Sequence, residues 1–203
     1  MKEIEVEPIN ILLITSCSFT ELALKTLLDN LQVVMNKKFN IQVGEFSGTG
    51  DDVLEFIICA GDLPHKMSLQ SIVRIKDALK YSDISTRMIF ITSKPRFALS
   101  YFISRLCKKE CYCINGLRNI DDIIYALHTV LVRSNAPIKA HCKMQLTSRE
   151  KEIIVGLIKQ VKPMYLSRRF SVDQKTISAH KINALRKLNV ERLSEIINLD
   201  ILA

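Results

Sequence analysis

The sequence of 203 residues has little that would mark an enzyme, a membrane protein or a secreted scaffold. No uninterrupted apolar run approaches the roughly 18 residues that cross a bilayer, and no basic-then-apolar leader opens the chain, so the expectation is a soluble, cytoplasmic protein with no membrane partner. There is no glycine-rich phosphate loop and no arrangement of nucleophile and base. Catalytic residues and cofactor-binding residues are therefore expected to be none, and the protein is not expected to be an enzyme. Six cysteines are present, but their spacing repeats no paired-ligand pattern; even with His141 and Cys142 adjacent, the expected metal ligands are none. Cys17, Cys59, Cys107, Cys111 and Cys113 lie in or beside apolar runs and read mostly as buried, reduced thiols. The acidic pairs Asp51–Asp52 and Asp121–Asp122 fall at expected helix starts, where carboxylates complement the helix dipole.

What is present is an uneven distribution of charge. Residues 1–132 hold 15 Lys plus Arg against 15 Asp plus Glu, whereas residues 133–203 hold 14 against 6 and carry the whole net charge of +8. A neutral module joined to a compact basic one points to a polyanion as the partner of the second, because cationic side chains displace counterions condensed on nucleic acid.

The first part alternates apolar strand-like runs with amphipathic ones. Strands are expected near Ile9 to Thr15, Phe39 to Phe46, Phe56 to Cys59, Met88 to Thr92 and Cys111 to Ile114. Helices are expected at Phe19 to Leu31, Leu69 to Tyr81, Phe97 to Cys107 and Ile120 to Val132, with the segment after Phe46 the least clear. This alternation predicts a doubly wound α/β domain over 1–132. Residues 133–145, which contain Pro137 and show neither period, read as a linker, and 146–203 as an all-α domain.

Within that domain Thr147 and Glu150 form a capping box that opens a helix. Pro163 can open a second, short helix. Ser171, Val172 and Asp173 form a turn, with Ser171 or Asp173 as cap, before a third helix over about Gln174 to Leu188. On the third helix Ile177, His180, Ala184 and Leu188 share an inward face; Lys175, Ser178, Ala179, Ile182 and Arg186 share the outward one. Cations, a hydroxyl and small or apolar groups in that mixture suit the major groove: Lys and Arg meet phosphate or guanine, and Ala or Ile touch thymine methyls. A packed, hydrogen-bonded role is expected for His180.

Here the sequence resembles the LuxR/NarL family of helix-turn-helix regulators. The resemblance rests on LTSREKEI from Leu146, on Leu166 and Phe170, and on TISAHKINALRKLNV from Thr176 to Val190. It implies a four-helix domain whose third helix enters the major groove of double-stranded DNA, and whose fourth, about Glu191 to Ile201, serves dimerisation. It further implies that Ser178, Ala179 and Ile182 lie nearest the bases, with Lys175, Thr176, Lys181 and Arg186 as base or phosphate contacts. Three departures stand out: Ser178 replaces a commonly basic residue, Gln160 a turn glycine, and Asn189 the glycine before Val190.

An α/β domain ahead of such a module resembles the receiver of a response regulator, flavodoxin-like in fold. Receivers use carboxylates after the first strand to hold Mg²⁺, an Asp after the third as phosphoryl acceptor, a hydroxyl after the fourth and a Lys after the fifth. Divalent and ammonium cations there stabilise the charge of the transferred group. This chain has Ser16 and Cys17 at the first position, Ala60 at the second, Thr92 at the third and Asn115 at the last, with Asp62 the one shifted candidate acceptor. The site is degenerate, and the reading is a pseudo-receiver. The pairing is similar to auxiliary regulators of enteric bacteria that partner the capsule-synthesis response regulator. A bacterial transcription regulator results, acting as a homodimer or as a heterodimer with a related response regulator. The alternatives are a phosphorylation-controlled response regulator and a protein-binding antiactivator with weak DNA affinity.

Overall fold

The computed structural model describes residues 8–48, 53–61, 69–83, 85–92, 97–132 and 146–202. The expected linker, Asp62, Ser93, the Asp51–Asp52 pair, His141 and Cys142 lie outside them.

Five strands, β1 (Ile9–Thr15), β2 (Phe39–Val43), β3 (Phe56–Ala60), β4 (Arg87–Thr92) and β5 (Glu110–Asn115), form one parallel sheet in the order β2-β1-β3-β4-β5. The central strands read INILLIT, FIICA and RMIFIT because both of their faces are covered, which removes the polar alternation of a half-exposed sheet. The register places Leu13, Ile58, Ile89 and Tyr112 in one cross-strand row and Ile14, Cys59, Phe90 and Cys113 in a row on the opposite face.

The first row is covered by α1 (Ser18–Met35) and α4 (Ile120–Val132), through Leu24, Leu28 and Leu31 of the one and Leu127, Val130 and Leu131 of the other. Asn119 Oδ1 accepts from the Asp122 amide at 2.7 Å at the start of α4, and both aspartates sit in its first turn, as their placement in the sequence suggests. The second row is covered by α2 (Leu69–Ala78) and α3 (Phe97–Cys107), through Ile72, Ile75, Leu99, Phe102 and Ile103. The architecture is the doubly wound, flavodoxin-like one expected.

Differences from expectation are local. β2 stops at Val43, because Gly44 turns the chain at φ 79°, and Phe46 instead packs edge-on against Tyr81 at 5.3 Å. The expected helix over Leu69 to Tyr81 ends at Ala78 and finishes as a 3-10 turn. Cys17, grouped with the buried thiols by its neighbours, is exposed at the N-cap of α1, where a hydrogen bond with Thr20 lowers its thiol pKa. Cys107 and Cys113 are held at about 11 by burial.

The second module contains α5 (Ser148–Ile158), α6 (Pro163–Phe170) and α7 (Gln174–Leu188). The expected fourth helix is two 3-10 turns, Leu193–Glu195 and Ile197–Leu202. Of its apolar residues, Ile196 and Leu199 are fully buried, while Ile197, Ile201 and Leu202 are half-buried.

The modules share one apolar cluster. Ile158, Leu188, Ile196 and Leu199 pack in continuity with Ile72, Ile75 and Phe102, the terminal turn lying on α2 and α3 and α7 on α3. No helix among the described residues is long and apolar enough to cross a membrane.

Candidate nucleic-acid interface

Three local devices hold α7 in place. The capping box is formed: Thr147 Oγ1 accepts from the Glu150 amide at 3.2 Å, and Glu150 Oε2 accepts from the Thr147 amide at 2.8 Å. The same Oε2 accepts from Lys187 Nζ at 2.7 Å and so ties the start of α5 to the end of α7. Burial opposes the charged form of Glu150, but the hydrogen bonds from Lys187 and Thr147 outweigh it, and the carboxyl stays below the usual range. This tie also removes Lys187 from the set of outward cations.

Between α5 and α6 the approach is close. A Cβ on Gly156 would lie 2.9 Å from Leu166 Cδ2, a contact that only a shift of Leu166 could relieve. Leu166 joins Ile153, Leu157 and Ile177 in a small core of their own, with Phe170 and Val172 packed against it. Arg149 stacks over the Phe170 ring at 4.4 Å.

The turns that connect these helices need left-handed backbone. Gln160 (φ 59°), Ser171 (φ 52°) and Asn189 (φ 55°) all adopt it, so the two glycine replacements occupy glycine-type conformations. Ser171 closes α6 as its C-cap. Asp173 occupies the N-cap of α7 but makes no side-chain cap hydrogen bond, so neither residue caps α7 in the way expected.

On α7 the two faces separate as the periodicity indicates. Ile177, Ala184 and Leu188 are buried, and Leu185, not assigned from the sequence, joins them. Leu185 could have been found, since it lies eight residues after Ile177 on the same stripe. His180 is half-buried, at the margin of the inward face rather than within it. Outward, Lys175, Ser178, Ala179 and Arg186 are exposed, and Ile182 is 62% exposed. Thr176 and Lys181 are half-buried on the flanks. The docked first module covers the back of α7 and leaves this front open.

The other candidate positions gather at the carboxyl edge of the sheet, where doubly wound folds bind ligands. Thr15 pairs with Ala60, Ala60 with Ile91, and Thr92 with Asn115, which brings the four strand ends together. Two polar side chains there are turned onto the backbone. Thr15 Oγ1 accepts from the Cys17 amide at 3.2 Å, and Asn115 Oδ1 accepts from the Leu117 amide at 3.0 Å. Thr92 is buried; Ser16 and Cys17 are exposed and carry no negative charge.

Comparison with known proteins identifies one of the two modules. Residues 144–199 match the family described as bacterial regulatory proteins, luxR family, so the second module is a luxR-family domain. No curated protein sequence matches the chain. Among solved structures, RcsB from Salmonella enterica serovar Typhimurium bound to promoter P1flhDC in the presence of phosphomimetic BeF3− is similar at 14% identity. That alignment covers 97% of this chain and 100% of that one, with a TM-score of 0.49. RcsB from the same organism bound to promoter rprA aligns at 16% identity over 96% and 98% of the two chains, with a TM-score of 0.48. Full-length FixJ from B. japonicum aligns at 14% identity over 95% and 96%, with a TM-score of 0.37.

Proposed function

We propose that this protein is a transcription regulator that binds double-stranded DNA through the outward face of α7, with a receiver-like module that acts by protein contact rather than by accepting phosphate. One observation carries the reading: Ile182, Ser178 and Ala179 stand exposed between Lys175 and Arg186, on a helix whose opposite face buries Ile177, Ala184, Leu185 and Leu188. A large apolar side chain held in water on a rigid helix has a use when it meets a thymine methyl, and the flanking cations supply the salt-dependent attraction that brings it there. Thr176 and Lys181 would add contacts at the flanks. The basic charge of 133–203 beside the neutral 1–132 supports the same division of labour.

The receiver-like module is read as a pseudo-receiver because Thr15 and Asn115 at its strand ends cap turns, while the positions after β1 and β5 lack the charges that phosphoryl transfer needs. Its contact surface is supported by α1 and α4, which lie side by side and leave Phe19, Leu22, Ile120 and Tyr125 exposed. A second copy, or a related response regulator, would cover them.

The test is selection and sequencing of genomic DNA fragments bound at physiological salt, with the mass of the free protein measured by light scattering. A common motif of two spaced half-sites and a dimeric mass are expected. Motif-free recovery from a monomer would reject self-sufficient binding and favour the heteromeric or antiactivator reading. The Lys175→Ala, Lys181→Ala double variant is expected to bind DNA more weakly with a shallower salt dependence, by about 0.9 in slope per lost phosphate contact. The pseudo-receiver reading fails if acetyl phosphate with Mg²⁺ labels the protein and Asp62→Ala removes the label.

A further inference from the structure

The seam between the modules is not closed along its whole length. Between α3, α5 and α7 lies a cavity of about 230 Å³. Its apolar lining comes from both sides: Ala98 and Phe102 of α3, Leu188 of α7, and Leu146 just ahead of α5. Its polar lining is cationic and hydroxylic, with Arg105 contributed by α3 and Lys151 and Ser148 by α5. No acidic side chain lines it, and neither Arg105 nor Lys151 has an ion-pair partner among the described residues. Lys187, by contrast, is already neutralised by Glu150.

We propose that this cavity binds a small amphipathic monocarboxylate. The carboxylate would sit between the Arg105 guanidinium and the Lys151 ammonium and accept from the Ser148 hydroxyl. The apolar part would lie against Ala98, Tyr101 and Leu146, over a floor formed by the buried Phe102 and Leu188. The volume falls below the roughly 300 to 1,000 Å³ of sites for drug-sized ligands, which limits the guest to about ten non-hydrogen atoms. A nucleotide is too large and a bare inorganic anion would leave the apolar lining wet.

The position of the two cations has a consequence for regulation. One belongs to each module, so the complete site exists only in the docked arrangement, and a ligand that binds only that arrangement stabilises it by mass action. The reading face of α7 stays exposed when the modules are docked, so occupancy would fix the orientation of the DNA-binding module rather than mask it. A metabolite would then bias the module geometry of a chain whose sheet edge lacks the charges for a phosphate switch. The inference holds whether or not α7 binds DNA.

The full chain is titrated calorimetrically with octanoate and with benzoate, and with the neutral octanamide as control, at low and at high salt. Saturable binding of one carboxylate per chain is expected, weakened by salt and accompanied by a raised melting temperature, with octanamide at least about tenfold weaker. Arg105→Gln and Lys151→Gln should each weaken the carboxylate by about three- to tenfold, as loss of one partly exposed charge contact implies. Arg105 is exposed and Lys151 half-buried, and neither is in an ion pair among the described residues, so the melting temperature of the ligand-free variants should match wild type. Filling the cavity by Ala98→Phe should abolish binding. The proposal is overturned if neither carboxylate saturates, if octanamide binds equally well, or if both glutamine variants bind as wild type does.

Discussion

The carboxyl edge of the sheet and the outward face of α7 are both places where such folds meet ligands, yet their polar groups are used in opposite ways. At the sheet edge, Thr15 and Asn115 spend their hydrogen-bonding capacity on the backbone of the turns that follow. On α7, Lys175, Ser178 and Ile182 stand in solvent, and none of their side chains takes part in a hydrogen bond or ion pair among the described residues. The difference separates structure from availability: a residue with a partner inside the chain supports the fold, and one without is free to support something else.

The largest test compares two isoleucines five positions apart on the same helix. Ile177 is 1% exposed in the small core of the second module, so Ile177→Ala should cost about 2 to 4 kcal/mol of stability, read from the midpoint of urea unfolding. Ile182→Ala should leave that midpoint nearly unchanged, within about 0.5 kcal/mol. Its effect should appear in DNA affinity, as a loss of about 1 kcal/mol confined to sites carrying thymine opposite the helix. If both variants lowered stability alike, the division of α7 into a supporting and a reading face would be wrong.

A second test concerns a charge that does have a partner. Glu150→Gln breaks the tie to Lys187 and weakens the cap on Thr147, at a cost of about 1 to 3 kcal/mol at neutral pH. The folded-state pKa of Glu150 is depressed, so its contribution is present above the unfolded value of about 4.3 and is lost as pH falls through the folded value. The difference in stability between wild type and Glu150→Gln should therefore shrink on acidification below about pH 4. A gap constant from pH 3 to 7 would mean that the carboxylate does not act through its charge.

These two residues also show what sequence can and cannot disclose. Ile177 and Ile182 were legible because helical periodicity assigns faces without knowledge of the neighbours, and the capping role of Glu150 follows from its spacing to Thr147. The Glu150–Lys187 tie was not legible, since it joins residues 37 apart whose proximity depends on how α5 crosses α7. The central strands were legible because burial on both faces leaves an unbroken apolar run. The packing of Ile196 and Leu199 against α2 and α3 was hidden for the same kind of reason as the ion pair: an apolar run expected as a fourth helix does not declare the surface on which it rests.

At the sheet edge the comparison can be sharpened by restoring a charge. Asn115→Lys puts an ammonium where receivers keep one, and removes the acceptor that holds the Leu117 amide. A loss of about 0.5 to 1.5 kcal/mol in unfolding free energy is expected, with no phosphate incorporated from acetyl phosphate. Labelling of this variant would mean that one lysine restores the chemistry, and that the edge is less degenerate than its polar contacts imply.

The smallest expected effect lies at the two helix ends where other residues replace glycine. Gln160 and Asn189 close α5 and α7 with the same pair of backbone bonds. The Gln160 amide donates to Leu157 O at 3.0 Å and Val161 to Gly156 O at 2.9 Å; the Asn189 amide donates to Arg186 O at 3.1 Å and Val190 to Leu185 O at 3.0 Å. Both residues have positive φ, which costs an ordinary L-residue about 1 to 2 kcal/mol but asparagine less, because its short polar side chain accommodates that region. Glycine removes the cost and adds about 0.4 to 1 kcal/mol of unfolded-chain entropy. Gln160→Gly should therefore raise stability by about 0.5 kcal/mol and Asn189→Gly by about nothing, read as a shift in denaturation midpoint at constant slope. Equal gains at both positions would show that asparagine holds its cap no better than glutamine does, and would leave the choice of Asn189 to its exposed position at the end of α7.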